Sequence, residues 1–181
     1  MIEGESTGKS TLVENLALAY NTNFLAEVGR ETCEYAGGEE LMISEDLIEN
    51  LIRQKDEVRR AAKHSNRILF VDTDALTTGF YCNLLLEDSE EKRQLVQLAD
   101  SINYTNAWDL VLFLEPDGVA FVQDGTRNEE IKAQRKKYSE MLKEMFSRNQ
   151  VKMVCIEGDY LERFNRAKEI IEKELKISTR F

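Results

Sequence analysis

Two hydrophobic periods alternate along this chain. Asn23-Phe24-Leu25-Ala26-Glu27-Val28, Arg67-Ile68-Leu69-Phe70-Val71-Asp72, Trp108-Asp109-Leu110-Val111-Leu112-Phe113-Leu114 and Val151-Lys152-Met153-Val154-Cys155-Ile156 are short, largely unbroken apolar runs. Such runs are expected of parallel strands covered on both faces. Between them the apolar residues recur at helical spacing: Leu12 to Tyr20, then Leu47, Ile48, Leu51, Ile52 and Val58 in a helix beginning at Ser44. Asp88 to Tyr104 reads as another helix, starting with the capping-box-like Ser89-Glu90-Glu91-Lys92, and further helices are expected at Glu129 to Arg148 and Leu161 to Leu175. Strands alternating with helices predict an α/β fold around a parallel sheet. Gly29 is expected to close the first of these strands, Glu34 to Glu40 to form a loop, and Gln54 and Lys55 to lie on helix surface.

Size and charge narrow the possibilities. With 181 residues, 42% apolar and 32% charged, residues 1–181 are expected to form one soluble domain with a substantial core. No apolar run is long enough to span a bilayer and no secretory signal pattern is legible, so the expected location is cytoplasmic, without a membrane partner. Cys33, Cys82 and Cys155 are odd in number and widely spaced, which suits reduced thiols rather than a disulfide framework or zinc site. A net charge of −10 argues against a nucleic-acid partner, but a small anion can still be held by a few N–H groups and one or two cations. Gln134-Arg135-Lys136-Lys137 reads as a solvated helix face, Trp108 as structural, and His64 as a helix C-terminal residue rather than a catalyst.

The chemistry begins at Gly4-Glu5-Ser6-Thr7-Gly8-Lys9-Ser10-Thr11. This is the Gly-Lys-Ser end of a phosphate-binding loop opening into a helix N-terminus: backbone N–H groups cradle the phosphates of ATP, Lys9 reaches their outer oxygens, and the Ser10 hydroxyl holds Mg²⁺. The first glycine of the full motif falls on Glu3, and the strand before the loop is cut to Met1-Ile2. Asp72 ends the most apolar strand, the position of a carboxylate that serves Mg²⁺, and Asp74 two residues on could face an acceptor hydroxyl. A plain capping pair for the next helix is the alternative. Glu27, Arg30 and Glu31 fall at another strand's C-terminal end, where open α/β sheets bind ligands, or else form a surface salt-bridge cluster. Thr77, Thr78, Phe80 and Tyr81 lie near the carboxylates. They could floor a pocket for a flat ring, although aromatics at helical spacing are more often core. Val122-Gln123-Asp124-Gly125-Thr126-Arg127 is placed as a lid at about 122–130 whose Arg127 neutralises charge on a transferring phosphoryl group, with a plain helix N-terminus as the alternative. Glu157-Gly158-Asp159-Tyr160 is a candidate for adenine contacts.

Together these segments resemble the ribosylnicotinamide kinase domain of NadR-type proteins, P-loop nucleoside kinases that phosphorylate nicotinamide riboside with ATP. The likeness is carried in order by Gly4 to Ser10, Glu27-Val28-Gly29-Arg30-Glu31, Gly37-Gly38-Glu39-Glu40, Phe70-Val71-Asp72-Thr73-Asp74 with Thr77-Thr78, Asp124-Gly125-Thr126-Arg127, and Tyr160-Leu161-Glu162-Arg163-Phe164-Asn165. The resemblance implies a three-layer α/β/α fold of the P-loop NTPase type, with a five-stranded parallel sheet and a lid. It implies Lys9 and Ser10 on ATP and Mg²⁺, Asp72 or Asp74 on the metal and the ribose 5′-hydroxyl with Glu27 as a competing base, and Arg30 and Arg127 bracketing the phosphates. Where the family carries Trp before the Glu-X-Gly-Arg-Glu segment, this chain has Ala26, so a nicotinamide ring would need Tyr35, Phe80 or Tyr81 instead. A deoxynucleoside or other small-metabolite kinase, and a nucleotide-binding regulator with little turnover, are the alternatives. The oligomeric state is left open.

Overall fold

The computed structural model describes residues 2–3, 8–116 and 129–179. Five strands, β1 (Ile2–Glu3), β2 (Phe24–Leu25), β3 (Phe70–Val71), β4 (Val111–Leu114) and β5 (Met153–Ile156), alternate with seven α-helices. These are α1 (Lys9–Ala19), α2 (Gly29–Ala36), α3 (Ser44–Lys63), α4 (Ala75–Leu85), α5 (Glu90–Asn106), α6 (Glu129–Arg148) and α7 (Tyr160–Leu175). All strand pairings are parallel. Among the described residues they form two ladders, β1-β4-β5 and β2-β3, instead of one continuous five-stranded sheet.

The pleat of β4 explains the layering. Leu112 and Leu114 point to one face and join Leu12, Val13 and Leu16 of α1 with Ala167, Ile170 and Ile171 of α7. Val111 and Phe113 point to the other and meet Leu76 and Phe80 of α4 and Leu142 and Phe146 of α6. Successive side chains of a strand alternate faces, so four consecutive buried residues require helices on both sides. A third cluster, with Leu47, Leu51, Ala75, Cys82, Leu95, Ala99 and Ile102, ties α3, α4 and α5 together. Gly79 permits the close crossing of α4 over α5, since a Cβ there would stand 2.9 Å from that of Ala99.

The elements depart from the sequence reading in three places. The laddered parts of the strands are shorter than their apolar runs, two residues each in β2 and β3. Part of the expected loop is helical: α2 runs to Ala36 and ends on Gly37 at φ 91°, with the N–H groups of Gly37 and Gly38 both donating to the Cys33 carbonyl. A left-handed glycine is a common helix stop, and the Gly37-Gly38 pair was the available signal. A 3₁₀ turn at Glu39–Leu41 follows. Gln54 is buried, not on the helix surface, whereas Lys55 is exposed.

Candidate active site

Gly8, at φ 79°, turns the chain into α1, where the Leu12 N–H already donates to the Gly8 carbonyl at 3.0 Å. A left-handed conformation suits glycine, and a Cβ at this position would run into the Tyr160 ring. The first turn of α1 contains no acidic residue, so its positive dipole end is not offset by a local carboxylate. This turn presents Lys9 and Ser10.

Both side chains converge on the end of β3. Ser10 Oγ donates to Asp72 Oδ2 at 2.6 Å, and Lys9 Nζ lies 3.3 Å from Asp72 Oδ1. From the end of β2, Glu27 Oε2 stands 4.0 Å from Lys9 Nζ and 3.5 Å from Arg30 Nη2. Asp72 is buried, while the Glu27 side chain retains 26% exposure and can meet a molecule entering from outside. Five expected site residues, Lys9, Ser10, Glu27, Arg30 and Asp72, therefore form one continuous charged cluster at the ends of two strands. Ser10 and Asp72 offer the hydroxyl and carboxylate oxygens that suit Mg²⁺, a cation that completes its octahedron with water and phosphate oxygens. Among the described residues no group of three or more His, Cys, Asp or Glu gathers into an all-protein metal site.

Asp74 stands elsewhere. It is the N-cap of α4, its Oδ1 accepting from the Thr77 N–H at 3.1 Å and from Thr77 Oγ1 at 3.2 Å. Burial pushes its pKa up to about 6, against the opposing Thr77 hydrogen bonds. The Trp108 indole N–H is near enough to favour the charged carboxylate, yet neither it nor Asp74 Oδ2 has a hydrogen-bond partner. Between the two aspartates, Thr73 sits at φ 71°, a strained conformation for a β-branched residue. Gln54 holds it there: its Nε2 donates to the Thr73 carbonyl at 2.8 Å. Its position on a mostly polar helix gave no sign of this role.

The remaining expected site residues are dispersed. Glu31 turns to α3 and pairs with Arg53 at 2.8 Å. Tyr35 is 92% exposed at the end of α2. Phe80 is core, and Tyr81 packs against the α3–α4–α5 cluster with its ring edge-on to Phe80. Thr11 is exposed. Gly4, Glu5, Ser6 and Thr7, and the lid with Asp124 and Arg127, lie outside the described residues. One further residue escaped the sequence reading as a structural element: Arg163, 1% exposed, donates from Nε to the Gly158 carbonyl and from Nη2 to that of Glu115. It thereby ties the turn bearing Tyr160 to the end of β4.

A Gly-Lys-Ser turn opening a helix beneath a parallel sheet, with a buried strand-end aspartate against the Lys and Ser, defines a domain of the P-loop NTPase type. The chain belongs to the AAA domain family, whose model matches residues 1–163. It is 32% identical over 176 residues to the trifunctional NAD biosynthesis/regulator protein NadR of Salmonella typhimurium, and equally so to that of Escherichia coli, covering 96% of this chain. It spans only 41% of the length of those relatives. Solved structures agree in fold. A NadR protein in complex with NAD and AMP-PNP superposes with a TM-score of 0.82 at 26% identity, over 99% of this chain and 49% of the other. A NadR protein in complex with NR superposes with the same score at 24% identity, over 99% and 51%.

Proposed function

We propose that the chain is an ATP- and Mg²⁺-dependent nucleoside kinase whose acceptor is the 5′-hydroxyl of nicotinamide riboside. The observation that carries this reading is the single cluster of Lys9, Ser10, Asp72, Glu27 and Arg30, in which cations for phosphate, oxygen ligands for a divalent ion and an accessible carboxylate meet. The resemblance to NadR proteins, including one bound to an ATP analogue, supports it.

In this reading the α1 N-terminus and Lys9 hold the phosphates, and Ser10 and Asp72 would hold Mg²⁺, which supplies charge neutralisation when bound. Glu27 takes the proton of the attacking hydroxyl, because Asp72 is engaged by Ser10 and Lys9 while Asp74 caps α4. Arg30 lies beside Glu27 and can face the transferring phosphoryl group, with Arg127 closing over it from the lid. The two ladders then form halves of one five-stranded sheet, and residues 1–181 act as one domain. Positioning and charge neutralisation provide most of the rate in phosphoryl transfer, and these residues suit that task.

A coupled assay over a panel of nucleosides tests the reading. Turnover of nicotinamide riboside above the other nucleosides is expected. Turnover of a different nucleoside alone would overturn the acceptor and keep the class, as Ala26 in the place of a ring-stacking Trp allows. Nucleotide binding without phosphorylation of any acceptor would instead favour a regulator.

A further inference from the structure

Two buried side chains of α3 each keep a hydrogen-bonding atom that the fold leaves unused. Asn50 is 5% exposed and Gln54 4%. Asn50 Oδ1 accepts from Thr32 Oγ1 at 2.7 Å, which fixes the amide, and its Nδ2 donates to no atom of the described residues. Gln54 is fixed with the opposite polarity: its Nε2 donates to the Thr73 carbonyl at 2.8 Å, and its Oε1 is buried without a partner. Helix α3 thus presents one committed donor and one committed acceptor. A buried polar atom without a partner is costly, and native proteins leave few of them.

Their placement ties both to the charged cluster. Four positions apart, they lie on one face of the helix with Cα atoms about 6 Å from each other. Gln54 grips Thr73, the neighbour of Asp72, and Asn50 lies against Gly29, the neighbour of Arg30. Gly29 keeps Nδ2 open to an incoming molecule. A Cβ there would stand 3.3 Å from Asn50 Nδ2 and 3.8 Å from its Cγ, and would meet nothing else within 4 Å beyond its own helix and chain neighbours. The φ of Gly29 is not positive, so the backbone does not require a glycine at this position. What the missing side chain provides is room beside the amide.

A ligand that satisfies both atoms must accept at one end and donate at the other. A carboxylate has no proton to give to Gln54 Oε1, and an unsubstituted ring offers neither group. A primary carboxamide offers both in fixed order. Its oxygen and nitrogen are about 2.2 Å apart, from bonds of ~1.23 and ~1.33 Å; with a hydrogen bond of ~2.9 Å on each side it reaches across up to about 8 Å, enough to bridge one helical turn. We propose that Asn50 and Gln54 select the acceptor by its carboxamide: Asn50 Nδ2 donates to the carboxamide oxygen, and the carboxamide NH2 donates to Gln54 Oε1. The assignment rests on the nucleoside-kinase reading above and adds to it the means by which an amide is told from an acid. A pair of ribose hydroxyls could also bridge the two atoms, but hydroxyls donate or accept in either order and do not need the committed polarity seen here.

Three ribosides tested on the full chain decide the matter: those of nicotinamide, of nicotinic acid and of unsubstituted pyridine. For each, kcat/KM is measured with ATP, and binding is measured by calorimetry with Mg²⁺ and AMP-PNP, where no turnover is needed. The parent is expected to favour the carboxamide about tenfold or more over the other two, the scale of one buried polar group left unpaired. Two variants then remove the donor by different routes. Asn50→Asp keeps the bulk and the acceptor for Thr32, and replaces Nδ2 with an oxygen. Gly29→Ala sets a methyl against Nδ2 in a helical turn that alanine otherwise favours, so Tm should not fall. Each should lower kcat/KM and affinity for the carboxamide riboside about tenfold and bring both to the level of the pyridine riboside. Equal losses on all three ribosides would make Asn50 purely structural and overturn the proposal. So would a parent that shows no preference for the carboxamide, or sensitivity to Asn50→Asp that vanishes with the ribose 2′- and 3′-hydroxyls and not with the carboxamide. Turnover without discrimination sinks this inference and keeps the kinase reading; carboxamide-selective binding without turnover does the reverse, and absence of riboside binding ends both.

Discussion

At the residue scale the cluster around Lys9 has a simple electrostatic logic. Lys9 lies between Asp72 and Glu27, 3.3 Å from the one and 4.0 Å from the other, and Glu27 is also paired with Arg30 at 3.5 Å. In the proposed enzyme Lys9→Ala removes a cation from the phosphate site and leaves the buried Asp72 carboxylate with the Ser10 and Thr73 hydroxyls. It should lower kcat roughly a hundredfold or more, as loss of a charge-stabilising donor does elsewhere, while leaving far-UV circular dichroism unchanged; full activity in this variant would refute the phosphate-loop assignment. Tyr20 supplies a test of stability instead. Its ring packs 5.7 Å from that of Phe70 and its hydroxyl is buried without a hydrogen-bond partner. Burial, with Glu172 adding to it, pushes the phenol up to about 12 from 10.0. The folded state thus keeps its proton more tightly than the unfolded one, and this contribution is complete below pH 10 and lost as pH rises to 12. Two pKa units correspond to about 3 kcal/mol. Denaturant titrations should show Tyr20→Phe at least as stable as the parent at pH 7, and a shallower loss between pH 10 and 12.

At the scale of elements, α3 does more than fill a layer. Its Asn50 accepts from Thr32 Oγ1 at 2.7 Å and so anchors α2, which bears Arg30 in its first turn. One turn later Gln54 secures the strained Thr73 between the two aspartates. Gln54→Met keeps the bulk and removes the donor, leaving a buried carbonyl unsatisfied at a cost of about 1–3 kcal/mol. In the proposed enzyme it should also lower kcat more than it raises KM for ATP, because Asp72 would lose its fixed position. A variant with the expected loss of stability and wild-type kcat would make Gln54 purely structural. The short α2 was illegible for a related reason: Thr, Cys and Tyr are indifferent helix formers, and eight residues form a helix here because Thr32 and Cys33 are buried and Gly37 stops the chain. By contrast α6, whose interval coincides with the expected Glu129 to Arg148, is long enough for its pattern to decide.

For the whole molecule, the three hydrophobic clusters share elements: β4 contributes to two of them and α4 to two. A core so linked should unfold as one unit. Trp108 fluorescence and far-UV circular dichroism are expected to give coincident urea transitions; separated midpoints would divide the chain into independent parts.

The sequence by itself determined the alternation of strands and helices, the phosphate-binding turn at Gly8 to Ser10 and the strand-end carboxylates, because each depends on local periodicity or on a motif held within a few residues. Only the tertiary structure decided which carboxylates meet the lysine. Asp72 and Asp74 are two residues apart and look equivalent in a string of letters, but the left-handed turn at Thr73 sends one to Lys9 and Ser10 and the other to cap α4. That choice rests on Gln54, nineteen positions away in sequence, and on strands paired across still longer separations. Contacts of this kind leave no periodic trace in the chain; they exist only after it has packed.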